Sequence, residues 1–224
     1  MADTVGSMSI GSLCQLLPAS ERLNPRGPAL ASVPTHMKNF LLLLGVLGLF
    51  TGALHAEKID LGSGKALLLS VPDSWKPHAA RAPESAPAPA RTVRYVPRDG
   101  RNEAILISVL PVLDDRFADP AALKALVEEA TQQFVADSVE KKANLKELKF
   151  GGGNGYAVTF TDANLVGKPS VPEDYKAMTA CFVYLGERVM VTATIFTDDP
   201  AGKAYAEAQH MLKSISLRLP GNAL

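Results

Sequence analysis

The side chains that could do chemistry in this 224-residue chain are few and far apart. Downstream of residue 56 the histidines are His78 and His210, one in a proline-rich stretch and the other beside the polar face of the last helical segment. A hydrolytic triad needs a nucleophile held in a strained turn with a histidine and an acid converging on it. The sequence has no Gly-x-Ser-x-Gly, and neither histidine has a partner at motif spacing. Cys14 and Cys181 lack the clustered spacing of a structural zinc site and are too few for a disulfide scaffold. The acidic pairs Asp114-Asp115 and Asp198-Asp199 fall where helix N-termini favour negative charge, so capping accounts for them before a metal does.

Two glycine runs invite phosphate-binding readings and fail on context. Gly62-Ser63-Gly64-Lys65 has Ile59 where a phosphate loop needs its first glycine, and Ala66 where it needs Ser or Thr. Gly151 to Gly155 leads into the alternating stretch Tyr156 to Thr161, a strand, where a dinucleotide site requires a helix. No catalytic, cofactor-binding or metal-binding residue is therefore read from the sequence, and the chain is expected not to be an enzyme. A hydrolase using His78 or His210 is the third reading.

The uneven feature is Arg91, Arg94, Arg98 and Arg101, four arginines in eleven residues with Tyr95 between them. Planar guanidinium groups beside an aromatic ring suit an acidic patch on a partner, or a lipid headgroup. A solvated hairpin tip explains the same residues, so these five form the candidate interaction surface. Thr159, Thr161, Thr192 and Thr194 form a second candidate, a half-polar sheet face able to take a ligand.

The elements that must position these residues start after a leader. Met37 to Ala56 reads MKNFLLLLGVLGLFTGALHA, with Lys38 as a short positive region, an uncharged apolar run from Phe40 to Leu54, and small residues for cleavage. A membrane span needs about 20 predominantly apolar residues, and glycines interrupt this shorter run. The stretch reads as a signal peptide cut between Ala56 and Glu57, with a cut after Ala53 as the alternative. Residues 1–36 show no helical or strand periodicity and read as an untranslated or disordered leader, which makes Met37 the expected initiator. The expected location is periplasmic or secreted.

Residues 57–224 then form one domain with 20 basic and 21 acidic side chains. That balance gives no electrostatic reason to hold nucleic acid. No membrane span remains after cleavage, and Cys181 is left as a lone thiol, expected buried. The domain opens with a hairpin over Lys58 to Pro72 turning at Gly62-Ser63-Gly64, followed by Trp75 as a core lid. The Ala/Pro-rich stretch 79–90 is a loop. A second hairpin pairs Thr92 to Pro97 with Asn102 to Leu110 around Asp99-Gly100, its second strand apolar on both faces and therefore central. Asp119 and Pro120 start a helix bearing Leu123, Leu126, Val127, Ala130 and Phe134 at helical spacing.

Two further hairpins cover Leu145 to Thr161 and Ala177 to Thr197, the latter turning at Gly186-Glu187. A last helix, capped by Asp199 before Pro200, carries Ala204, Tyr205, Ala208, Met211, Leu212 and Ile215 on one stripe. The order lacks βαβ alternation, so the expected class is α+β: one mainly antiparallel sheet carrying two main helices, both covering the Tyr156/Val158/Phe160 face.

This order resembles the PsbP-like superfamily on particular stretches. They are the strand Leu69-Ser70-Val71-Pro72 before Ser74-Trp75, the strand entry Gly155-Tyr156-Ala157, and the close Lys213-Ser214-Ile215-Ser216-Leu217. The resemblance covers about Lys58 to Leu219 and implies a compact αβα sandwich used as a binding or assembly module, without catalytic residues or cofactors. The implied partner is an unidentified envelope protein, and the expected state is a monomer or weak oligomer. A carrier of a small apolar ligand, held in a cleft of the sheet, is the alternative.

Overall fold

The computed structural model describes residues 54–78, 91–150 and 153–221. The expectations for residues 1–36, for Met37 to Ala53 and for the 79–90 loop lie outside the described residues. Strand β1 (Leu54–Gly62) pairs antiparallel with β2 (Lys65–Pro72). Ser63 and Gly64, both at positive φ, make the two-residue turn that the right-handed strand twist favours. Leu54, His55 and Ala56 pair with Pro72, Val71 and Ser70, so β1 runs across the expected Ala56/Glu57 junction.

Next come β3 (Trp75–His78), β4 (Arg91–Pro97) and β5 (Glu103–Pro111), a 3-10 turn over Arg116–Ala118, and helix α1 (Pro120–Val135). Strands β6 (Lys146–Phe150), β7 (Gly153–Thr161), β8 (Ala177–Tyr184) and β9 (Val189–Thr197) follow. Helix α2 (Lys203–Lys213) and strand β10 (Ser216–Arg218) end the described chain.

Among the described residues the fold is α+β and antiparallel throughout its ladders, with two α-helices, as the sequence indicates. The strands nevertheless split into two sheets rather than one: a seven-stranded sheet ordered β3-β4-β5-β9-β8-β7-β6, and a three-stranded sheet ordered β1-β2-β10. The split follows from the end of the chain. Ser214 Oγ accepts from the Ser70 backbone N–H at 2.8 Å, which halts α2, and Ser216 to Arg218 then pair with Leu68 to Ala66. Ser216 and Leu217 are thus strand residues, where the pattern reads as the end of a helix.

Strand β5 is inaccessible along eight of its nine residues, and it pairs with β4 and β9. A strand apolar on both faces must be covered on both. The two helices accordingly lie on opposite faces, which corrects the expectation that both cover Tyr156, Val158 and Phe160. Val127 and Phe134 of α1 pack with Val158, Phe160, Leu106 and Phe196. Ala204, Tyr205, Ala208, Met211 and Leu212 of α2 pack with Ile105, Ile107, Ala193, Ile195 and Cys181, and with Leu67, Leu69 and Val71 of the small sheet.

Helix α1 begins as expected: Pro120 takes the first position, where a missing N–H costs nothing, and the Asp119 carboxylate accepts from the Ala121 N–H at 3.0 Å. Helix α2 begins three residues later than the Asp199-Pro200 signal indicates. Asp199, Pro200, Ala201 and Gly202 form a β-turn instead, closed by Gly202 N–H to Asp199 C=O at 3.0 Å, with Pro and Gly at the positions such turns favour.

Trp75 is fully buried, as expected of a core lid, but it opens β3 rather than standing in a turn. Its indole N–H donates to Glu207 Oε2 at 3.0 Å, and Ser74 Oγ donates to the same oxygen at 2.8 Å. Lys203 lies 3.6 Å from the other carboxylate oxygen. Glu207 thus joins the β3 edge to α2 from within the apolar stripe, where helical spacing alone shows only hydrophobic residues. Replacing Trp75 with Phe keeps most of the ring and removes the donor, leaving a buried carboxylate short of a partner. Urea denaturation followed by circular dichroism is expected to show a loss of about 1–3 kcal/mol for Trp75→Phe.

Candidate functional site

The structure separates the five residues of the expected interaction surface. Strand alternation sends Arg91, Val93 and Tyr95 to one face of β4 and Arg94 to the other. Tyr95 is fully buried opposite Ile105, so it cannot be part of an exposed surface. Burial, and after it the neighbouring Glu57 carboxylate, push its hydroxyl pKa far up. Arg98 Nε donates to the backbone carbonyls of Asp73 and Trp75 at 2.9 and 3.1 Å, binding the hairpin tip to the turn before β3. Arg101 Nε donates to Asp99 Oδ2 at 2.8 Å, and that bond holds the Asp99 carboxyl below its ordinary range. Arg91 is exposed. Arg94 is half-buried, and its Nη2 donates to the Tyr175 hydroxyl at 3.0 Å. The arginines are therefore not one patch.

The Arg94–Tyr175 bond leads to the junction that sequence reasoning missed. The β7–β8 connection, residues 162–176, folds over the end of the seven-stranded sheet and meets the β4–β5 hairpin there. Asn102, the last residue of that hairpin turn, reaches Val171 C=O at 3.0 Å and Asp174 C=O at 3.3 Å with its Nδ2, and its Oδ1 accepts from Glu173 N–H at 2.9 Å. The same Nδ2 donates to Asp198 Oδ2 at 3.0 Å. Asp198 also accepts from Lys176 N–H at 3.1 Å and from the Ser170 hydroxyl. Asp198 is therefore a loop anchor, where the sequence reads it as a helix cap. Tyr175 closes the junction from below, its ring 5.1 Å from that of Phe196.

The anchored loop exposes Val166 (60%) and Val171 (49%), large apolar side chains on a surface that also carries Lys168. A cleft of about 240 Å³ runs beside them, lined by Leu165, Lys168, Pro169, Val171 and Lys176 among others. No local signal marks this arrangement, because Asn102 is 69 residues from Val171 and 96 from Asp198.

The remaining chemical candidates stay apart. His78, in β3, and His210, in α2, are both exposed. Among the described residues no group of three or more His, Cys, Asp or Glu is placed to hold a metal ion, and no helix is long and apolar enough to cross a membrane. Gly62 to Lys65 is the hairpin turn expected of it. Gly153 is glycine because a Cβ there would stand 2.4 Å from the Tyr184 carbonyl oxygen.

The four threonines do not share a face. Thr159 and Thr161 alternate with Val158 and Phe160, on the α2 side, and Thr192 and Thr194 alternate with Val191 and Ala193, on the α1 side. Thr159 instead joins Thr179 at 2.8 Å, and Thr179 joins the Tyr205 hydroxyl at 2.7 Å. This hydroxyl chain borders an open cleft of about 400 Å³ edged by Lys146, Tyr205 and Gln209 together with Pro200, Ala201 and Ala206, a rim of mixed polar and apolar character.

No family model matches the chain, and no curated protein does. It is similar to solved structures. One is cyanobacterial PsbP from Synechocystis sp. PCC 6803, at 14% identity over 79% of this chain and 99% of that one, with a TM-score of 0.46. A PsbP is thus among the folds this chain is similar to. Others are the Ran-binding protein Mog1p of Saccharomyces cerevisiae, at 17% identity over 73% of this chain and 95% of that one (TM-score 0.38), and LpqN of Mycobacterium tuberculosis, involved in cell envelope biogenesis, at 13% identity over 74% and 92% (TM-score 0.35).

Two buried groups give direct tests. Cys181 is a free thiol in β8, and burial pushes its pKa up to about 12. In a Cys14→Ser background the native protein is expected to resist thiol reagents at neutral pH and to react with one equivalent in denaturant. Glu103, at the head of β5, is 8% exposed; Oε1 accepts from Thr197 Oγ1 at 3.0 Å, and Oε2 has no partner among the described residues. Burial raises its pKa above the ordinary value. The fold therefore holds this proton more tightly than the unfolded chain, and Glu103 lowers stability as pH rises through the window above the ordinary glutamate value. Denaturation series from pH 4 to 7 are expected to show Glu103→Gln gaining stability relative to the parent as pH rises.

Proposed function

We propose that the chain is an exported, non-enzymatic module that binds or helps assemble a protein of the cell envelope, and that the junction of the β4–β5 hairpin with the 162–176 loop is its contact surface. The observation that carries this reading is the anchoring of that loop. Val171 sits on a segment whose backbone groups bond to the side chains of Asn102 and Asp198, and Val166 sits on the turns before it, closed by Leu165 N–H to Asp162 C=O and Lys168 N–H to Leu165 C=O at 3.1 Å each. Exposed apolar groups on a pre-ordered backbone suit protein recognition, since little conformational entropy is lost when a partner covers them. The Met37 to Ala56 leader supports export to the periplasm or beyond, and the PsbP-like layout supports a binding role.

Cross-linking in the native envelope followed by mass spectrometry tests this. One reproducible protein adduct is expected, falling at least tenfold for Val166→Asp/Val171→Asp with the melting temperature unchanged. Absence of a reproducible adduct, or an adduct indifferent to that pair, overturns the reading. The exported chain is expected to begin at Glu57, or at Leu54 if the cut follows Ala53. A chain recovered with its leader attached overturns export.

A further inference from the structure

The two edges of the seven-stranded sheet differ in how they meet solvent. At one end β3 is four residues long and carries Pro77, which removes a ladder donor and blunts the edge. At the other end β6, Lys146–Phe150, has no proline and pairs with β7 in unbroken register from Lys146↔Ala157 to Phe150↔Gly153. Among the described residues no strand lies beyond it. Its outer backbone N–H and C=O groups form an open template for another strand.

The side chains of β6 select the occupant. Two sheets joined edge to edge by an antiparallel ladder are related by a two-fold axis normal to the sheet, so residues of like parity oppose each other. Centring the axis on Glu147 sets carboxylate against carboxylate, and centring it on Lys149 sets ammonium against ammonium. Centring it on Leu148 sets Leu148 against its own copy and Glu147 against Lys149 on both sides of the axis. Like charges directly opposite destabilise a ladder and unlike charges stabilise it. Glu147 and Lys149 are exposed, and neither has an ion-pair partner within its own chain among the described residues. Leu148 is half-buried against the core under α2, so its copy would extend that cluster.

We propose that β6 is a self-complementary docking edge at which a second copy of this chain pairs antiparallel about Leu148, joining two seven-stranded sheets into one. The contact is short, so the dimer is weak and concentration-dependent.

The test uses the full chain in a Cys14→Ser background with Leu148→Cys. Directly opposed Cβ atoms lie about 4.5–5.5 Å apart, so a short bismaleimide is expected to give a covalent dimer. Lys76→Cys, on the opposite edge, is expected to give none. Adding Glu147→Lys turns two attractive pairs into two repulsive ones and is expected to lower the dimer yield about tenfold. The swap Glu147→Lys/Lys149→Glu is expected to restore it. Fluorescence of the single buried Trp75 reports that each variant is folded. No dimer from Leu148→Cys, equal yields from both edges, or a yield unmoved by the charge reversal overturns the proposal.

Discussion

The structure depends on a sheet that cannot face water on either side. Strand β5 buries eight of its nine residues and β9, its neighbour at the centre, buries all but one. Seven strands in one antiparallel ladder thus present two apolar faces, and each needs its own cover. Helix α1 supplies one. The other takes α2 together with the three-stranded sheet, because a single eleven-residue helix is too narrow to shield the face from β4 to β7. The layering of the domain, the separation of the first hairpin from the main sheet and the return of the chain as β10 all answer that requirement.

Polar groups inside this frame join one element to another. Glu207 takes hydrogen bonds from Trp75 and Ser74 and so fixes α2 against the short edge strand β3. Ser214 stops the same helix by accepting from Ser70. Asn102 and Asp198 do for the second half of the 162–176 loop what a ladder does for a strand: they bond the backbone groups of Val171, Glu173, Asp174 and Lys176.

The hairpins and α1 were legible because their signals are local. Gly62-Ser63-Gly64, Asp99-Gly100 and Gly186-Glu187 are turn sequences next to alternating residues, and Asp119-Pro120 is a capping pair before a helical stripe. Helix α2 starts later than its local signal because Asp-Pro serves a turn as well as it serves a cap, and Gly202 settles the choice in favour of the turn. The arginine run does not form one surface because spacing in sequence does not weigh alternation. Tyr95 points into the core, and Arg98 and Arg101 are occupied by local acceptors.

The amino-acid sequence by itself determined most of the strands and both helices, though not β3, β10 or the first turn of α2, and it determined that the strands run antiparallel and that the domain follows a leader-like apolar run. It could do so because periodicity, turn chemistry and capping act over fewer than about ten residues. Tertiary structure alone decided that there are two sheets, that the helices take opposite faces, and that Asn102, Asp198 and the loop exposing Val166 and Val171 meet at one end. Those arrangements rest on pairings such as Leu217 with Leu67 and Asn102 with Asp198. Partners so distant in the chain are chosen by which faces remain to be covered once the local elements exist.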